Sequence, residues 1–154
     1  MNIVKITDFM SEKLINLELK SNTKEEVLKE LKELLNGSIN ILDADKCYEG
    51  LVAREKIGST GIGKGVAIPH TKTDFVTKLT VGFGISREGI DFDSLDNEKT
   101  HMFFVFASPI KDSQTYLKVL ARISRLIRNK EFRNRLLSAN TPNEIIELIN
   151  KEEE

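Results

Sequence analysis

Histidine occurs twice in this sequence, in unlike surroundings. His70 follows the run Gly58-Ser-Thr-Gly-Ile-Gly-Lys-Gly65 and then Val66-Ala-Ile-Pro69, whereas His101 opens the apolar run Met102-Phe-Phe-Val-Phe106. A neutral imidazole carries one unprotonated ring nitrogen near pH 7 and can attack an electrophile such as phosphorus. His70 is the candidate nucleophile. A strand over residues 66–68 is expected to end at Pro69, which lacks a ladder donor, leaving the imidazole at a reachable strand-to-loop junction. The other ring nitrogen needs an acceptor to fix the tautomer, and a backbone carbonyl is expected to supply it. His101 reads as a strand-end residue satisfied by local hydrogen bonds.

Three cations accompany the histidine. Arg54 precedes the glycine run, and its planar fork suits bidentate contact with phosphoryl oxygens. Lys64 and Lys72 are expected to flank His70 and attract phosphate. The segment Gly58-Ser-Thr-Gly-Ile-Gly-Lys64 matches the first positions of the Walker A pattern, but Gly65 stands where a Ser or Thr must bind magnesium. The residues after it, Val66-Ala-Ile-Pro69, cannot open the helix that motif demands, so nucleotide binding is disfavoured. Closely spaced glycines retain a more general capacity, exposing backbone N–H groups to an anion.

Periodicity and caps indicate what must hold these residues. Thr23 and Glu26 form a capping box for a helix with Val27, Leu28, Leu31, Leu34 and Leu35 at helical spacing, and Gly37 is expected to end it in the left-handed conformation. Asp43 caps a second helix predicted to run through Arg54. Residues 79–85 alternate as a strand, residues 90–92 are expected to return as a short partner, and residues 101–107 read as a buried central strand. Beyond Pro109, a helix is predicted to bury Leu117, Leu120, Ile123, Leu126 and Ile127. A shorter helix carries Phe132, Leu136 and Leu137. Thr141-Pro-Asn-Glu144 starts a last helix, expected to fray into the closing Lys151-Glu-Glu-Glu. The fold class predicted is α/β, a mixed β-sheet flanked by helices.

The 154 residues suit one domain spanning 1–154. A 40% hydrophobic and 31% charged composition suits a folded soluble chain, and the net charge of −1 gives no bulk attraction to nucleic acid or an anionic membrane. The single cysteine, Cys47, leaves no intramolecular disulfide, and a cytoplasmic setting is expected. No run approaches the roughly 20 apolar residues of a membrane span, nor does the N-terminal stretch carry a signal-peptide core.

The stretch Arg54-Glu-Lys-Ile-Gly-Ser-Thr-Gly-Ile-Gly-Lys-Gly-Val-Ala-Ile-Pro-His70 resembles the signature of the fructose/mannitol-type enzyme IIA domain of the bacterial phosphoenolpyruvate-dependent sugar phosphotransferase system. The resemblance extends from about residue 6 to residue 149. It implies that His70 accepts a phosphoryl group from the carrier HPr and passes it to an enzyme IIB, with no metal or cofactor. It also implies that Arg54 assists the phosphoryl group and that the Ser59-Thr60-Gly61 turn shapes the site. Two departures stand out. Thr71 replaces the small residue that often follows the histidine, adding bulk beside the site, and Tyr116 stands where many members carry a second histidine. A tyrosine can still donate a hydrogen bond to a phosphoryl oxygen. Nitrogen-regulatory IIA proteins share the signature, so phosphorylation-dependent protein binding is the alternative role. Either role needs an exposed, modestly apolar patch around His70 between Lys64 and Lys72. Phe75 reads first as a core residue and second as a contact in that patch.

Overall fold

The run that begins beside His101 lies at the centre of the sheet. In the computed structural model, which describes residues 4–154, strands β1 (Ile15–Asn16), β2 (Gly61–Gly63), β3 (Val66–Ala67), β4 (His70–Lys72), β5 (Thr80–Ile90) and β6 (Thr100–Ser108) form a six-stranded mixed sheet. The first three residues of the expected 1–154 unit lie outside the described part. The order is β1-β5-β6-β3-β2, with β4 also paired to β6. β5 and β6 are antiparallel, while β3 and β4 both run parallel to β6.

Helices α1 (Lys24–Leu35) and α2 (Ala44–Ile57) cover one face, and α3 (Ser113–Leu126), α4 (Lys130–Ser138) and α5 (Pro142–Glu152) contribute to the core on the other. The faces alternate along β6 as a pleated strand requires. Met102, Phe104 and Phe106 join the α3–α5 core, and Phe103, Val105 and Ala107 join the α1–α2 core. The predicted α/β class, a mixed sheet flanked by helices, is the class observed.

The local signals place the helix starts. Thr23, Asp43 and Thr141 each accept a hydrogen bond from the backbone N–H three residues on. Glu26 reaches back one residue farther than a capping box requires, to the N–H of Asn22. The stops differ more. Positive-φ glycines are Gly63, Gly65 and Gly89, so Gly37 does not end α1 in the left-handed conformation; its N–H instead closes a turn onto the Leu34 carbonyl. α2 continues past Arg54 to Ile57. The return strand expected over residues 90–92 is absent, because β5 itself runs on to Ile90 through a bulge and pairs there with Thr100.

Two expectations at the C-terminal half also change. Leu117 is exposed and Tyr116 and Val119 are buried in its place, while Ile123 and Ile127 are buried as expected. The end of the chain is not frayed at Glu153, whose fully buried side chain accepts from the N–H groups of Ile6 and Thr7 and from Arg122 Nε at 2.9 Å. No helix among the described residues is long and apolar enough to cross a membrane.

Candidate functional site

β3 and β4 are two pieces of one strand. Val66 and Ala67 pair with Met102 and Phe103, and His70, Thr71 and Lys72 continue in the same register on Phe106, Ala107 and Ser108. Pro69 lacks the N–H that would complete the ladder between them, but its carbonyl accepts from Phe106 N–H at 3.0 Å. His70 therefore opens β4 rather than sitting at a strand-to-loop junction, and its side chain shares a face with Phe106.

The break at residues 68–69 frees the backbone groups of Ile68 for other partners. Its N–H donates to the Thr60 carbonyl at 3.0 Å, and its carbonyl oxygen lies 2.6 Å from His70 Nδ1. A carbonyl only accepts, so Nδ1 carries the proton and Nε2 carries the lone pair. The backbone acceptor expected for the ring is thus Ile68. The imidazole is 8% exposed, stacked on the Phe106 ring at 5.5 Å and edge-on to Tyr116 at 5.5 Å. Burial lowers its pKa below 6.5, and the Arg54 and Lys72 charges act in the same direction, against the Ile68 bond and the Glu55 charge. The ring is accordingly held neutral with its nucleophilic nitrogen available at pH 7.

Tyr116, on α3, meets both His70 and Phe106, the latter at 5.4 Å. Burial raises its pKa, opposed by Arg54, so its hydroxyl remains a neutral donor. Lys72 arches over the Tyr116 ring with Nζ 5.3 Å from the centroid. Arg54, in the last turn of α2, donates from Nη1 to the Gly58 carbonyl at 2.8 Å while its charge reaches His70 and Tyr116.

Ser59, Thr60 and Gly61 are committed to the loop itself. Ser59 Oγ donates to the Phe92 carbonyl at 2.7 Å and accepts from Gly61 N–H at 3.0 Å. The Thr60 hydroxyl donates to Glu55, and its N–H reaches the same carboxylate at 3.1 Å.

Four expectations about the surroundings change. Lys64 does not flank His70. It lies at φ 59° in the β2–β3 turn, whose next residue, Gly65, accepts from Met102 N–H, whereas His70 pairs with Phe106. Four strand residues separate those levels, about 13 Å at ~3.3 Å per residue. Thr71 adds no bulk beside the imidazole, because strand alternation turns its side chain to the opposite face, against Gly50 of α2. Phe75 is 40% exposed rather than part of the core, since it lies in a turn whose carbonyl accepts from Leu42 N–H. The exposed apolar patch is likewise only partly present, as His70 itself is buried; Leu117 and Ile110 are exposed on the segment around Tyr116. His101 is half-buried, with Nδ1 3.0 Å from the Ser86 carbonyl.

Sequence reasoning passed over Glu55. An acidic side chain in the last turn of a helix opposes the helix dipole, and that local conflict is the signal that its partners lie outside the helix.

Comparison with known proteins places the chain among relatives of the same fold. The chain is 36% identical over 148 residues to the PTS system fructose-specific EIIABC component of Bacillus subtilis (strain 168), covering 96% of this chain but 23% of that protein. The structure of nitrogen regulatory protein IIA-Ntr from Neisseria meningitidis superposes with a TM-score of 0.87 at 30% identity, covering 94% of this chain and 98% of that one. The same fold occurs in the complex of enzyme IIAMTL and phosphorylated enzyme IIBMTL from Escherichia coli, with a TM-score of 0.78, 22% identity and coverage of 92% and 96%. The family model described as "Phosphoenolpyruvate-dependent sugar phosphotransferase system, EIIA 2" matches residues 8–152, and the chain belongs to that family of phosphotransferase-system components.

Proposed function

We propose that the chain works as one IIA-type phosphocarrier unit, accepting a phosphoryl group from HPr on Nε2 of His70 and passing it to a sugar-specific enzyme IIB. The observation that carries this reading is the 2.6 Å bond from Nδ1 to the Ile68 carbonyl, which leaves Nε2 with its lone pair beside Arg54. In the accepting step, Nε2 attacks phosphorus as the bond to the donor's ring nitrogen breaks, and the donor leaves with that electron pair. The Nδ1 proton stays on the Ile68 hydrogen bond during the attack, so the ring formed is an imidazolium bearing the phosphoryl group, its positive charge held between the Ile68 carbonyl and the phosphoryl oxygens. Onward transfer reverses these roles with the IIB nucleophile. Such chemistry needs in-line placement and donors to the equatorial oxygens; Arg54, Lys72 and the Tyr116 hydroxyl are the donors assigned here. The IIAMTL complex with phosphorylated IIBMTL supports a IIB as acceptor for this fold.

Regulation by phosphorylation-dependent protein binding is the second reading, favoured by the likeness to IIA-Ntr. The deciding experiment incubates the protein with phosphoenolpyruvate, enzyme I and HPr and follows the intact mass. Gain of one acid-labile phosphoryl group, lost in His70→Gln, is expected; no gain beside an authentic IIA control sinks the carrier reading. Onward transfer to an added IIB then separates transport from regulation.

A further inference from the structure

The Glu55 side chain is only 5% exposed although it stands in the last turn of α2. A carboxylate removed from water in this way must be paired and hydrogen-bonded. Oε1 accepts from Thr60 N–H at 3.1 Å and lies 3.0 Å from Lys24 Nζ, while Oε2 accepts from the Thr60 hydroxyl. Lys24 is itself fixed, 3.4 Å from Asp93 and 4.7 Å above the centre of the Phe92 ring. Thr60 is thereby clamped at both of its donors, and its remaining polar group, the carbonyl, takes Ile68 N–H at 3.0 Å. The next link in line is the Ile68 carbonyl on His70 Nδ1.

The two bonds made by Ile68, through the peptide units on either side of its Cα, lie outside the pairing with β6, which skips residues 68–69. With no ladder bond to β6 at this residue, the Thr60 carbonyl is the partner that anchors Ile68 from its N–H side. We propose that Glu55 is a positioning residue for His70: by clamping Thr60 it anchors residue Ile68, whose carbonyl, one peptide unit on, holds the ring in its Nδ1-protonated form. Glu55 touches neither the imidazole nor any reacting atom, so its effect passes wholly through Thr60 and Ile68. This assignment rests on His70 as the phosphoryl acceptor, yet the ring tautomer is measurable with no phosphoryl donor present.

The test labels the full chain with 15N-histidine and reads the Nδ1 and Nε2 shifts of His70 by NMR in the native protein, Glu55→Ala, Glu55→Gln and Thr60→Val, alongside phosphoryl uptake from HPr. His101, bonded to Ser86 at the far side of the β5 bulge, serves as internal control. In Glu55→Ala the His70 shifts are expected to move toward the averaged values of free imidazole, those of His101 to stay, and uptake to slow about 10-fold or more. Glu55→Gln keeps an acceptor for Thr60 N–H and should fall between; Thr60→Val, which keeps the backbone link, should also lie between. Native His70 shifts with uptake within about twofold in a folded Glu55→Ala protein would overturn the assignment. If that variant does not fold, the same result in both Glu55→Gln and Thr60→Val overturns it. Shifts that move in Glu55→Ala while the native protein takes up no phosphoryl group support the positioning link and sink the carrier reading alone.

Discussion

Thr71 and Gly50 meet where β4 passes under α2, with the Thr71 hydroxyl filling the space a Cβ on Gly50 would need and Thr71 Cβ 3.1 Å from that point. Gly50→Ala gains about 1 kcal/mol of helix propensity but must push a β-branched side chain out of a packed strand. A net loss of about 1–3 kcal/mol is expected from overpacking. Gly50→Ala with Thr71→Ala should recover most of it, read as a non-additive double-mutant cycle in urea unfolding.

Protonation of His70 links folding to pH. Its folded-state pKa lies below 6.5, so on acidification the unfolded imidazole takes a proton while the folded ring stays neutral. The unfolded state then binds more protons, and stability falls as pH drops from about 6.5 toward the folded value. His70→Gln should flatten that slope in unfolding measured between neutral and mildly acidic pH. By the same sign, the acid limb of the phosphoryl-uptake profile should lie below the ordinary imidazole range.

Arg54 contributes charge and geometry, and two variants separate them. Arg54→Lys keeps the charge that helps depress the His70 pKa, so its acid limb should stay in place while uptake slows. Arg54→Gln removes both; uptake should drop by about 10–100-fold, with the limb moving up toward the ordinary range. Coincident pH profiles for the two variants would contradict this division.

Tyr116 packs on His70 and Phe106 at 5.5 and 5.4 Å. Tyr116→Phe keeps both ring contacts, and its unfolding midpoint should barely change. Loss of one hydrogen bond to a phosphoryl oxygen, worth about 1 kcal/mol, should shorten the lifetime of the phosphorylated protein about fivefold. Tyr116→Ala should cost about 3–5 kcal/mol of stability, as for other buried aromatic truncations.

Glu153 ties the two ends of the described chain together through Ile6, Thr7 and Arg122. Glu153→Ala leaves Arg122, with a side chain 20% exposed, without that partner, at an expected cost of about 2–4 kcal/mol. Amide exchange at Ile6 and Thr7 should accelerate more than at Phe104.

What the sequence made legible was what is decided locally. Thr23, Asp43 and Thr141 announce their helices because each cap is satisfied within three residues. The run from Met102 to Phe106 announces a doubly covered strand because both of its faces are apolar. Features held by distant partners stayed hidden. β5 continues to Ile90 because its bulge is closed by Ser86 on Gly89 N–H and by the His101 ring, not by alternation. Leu117 faces outward because helix phase is set by Tyr116, Val119 and Ile123 against β6. At the site, Arg54 and Tyr116 lie within range of His70, but Glu55 becomes visible only once its partners Lys24 and Thr60 are seen beside it.

The His70 ring is pinned by Ile68, stacked on Phe106 and walled by Tyr116. A side chain fixed on three sides has no arm to swing. Whatever exchanges atoms with Nε2 must therefore bring its own reacting atom to the ring. In the proposed carrier role, turnover would follow how often two surfaces meet in the right orientation, and should respond to solvent viscosity and ionic strength.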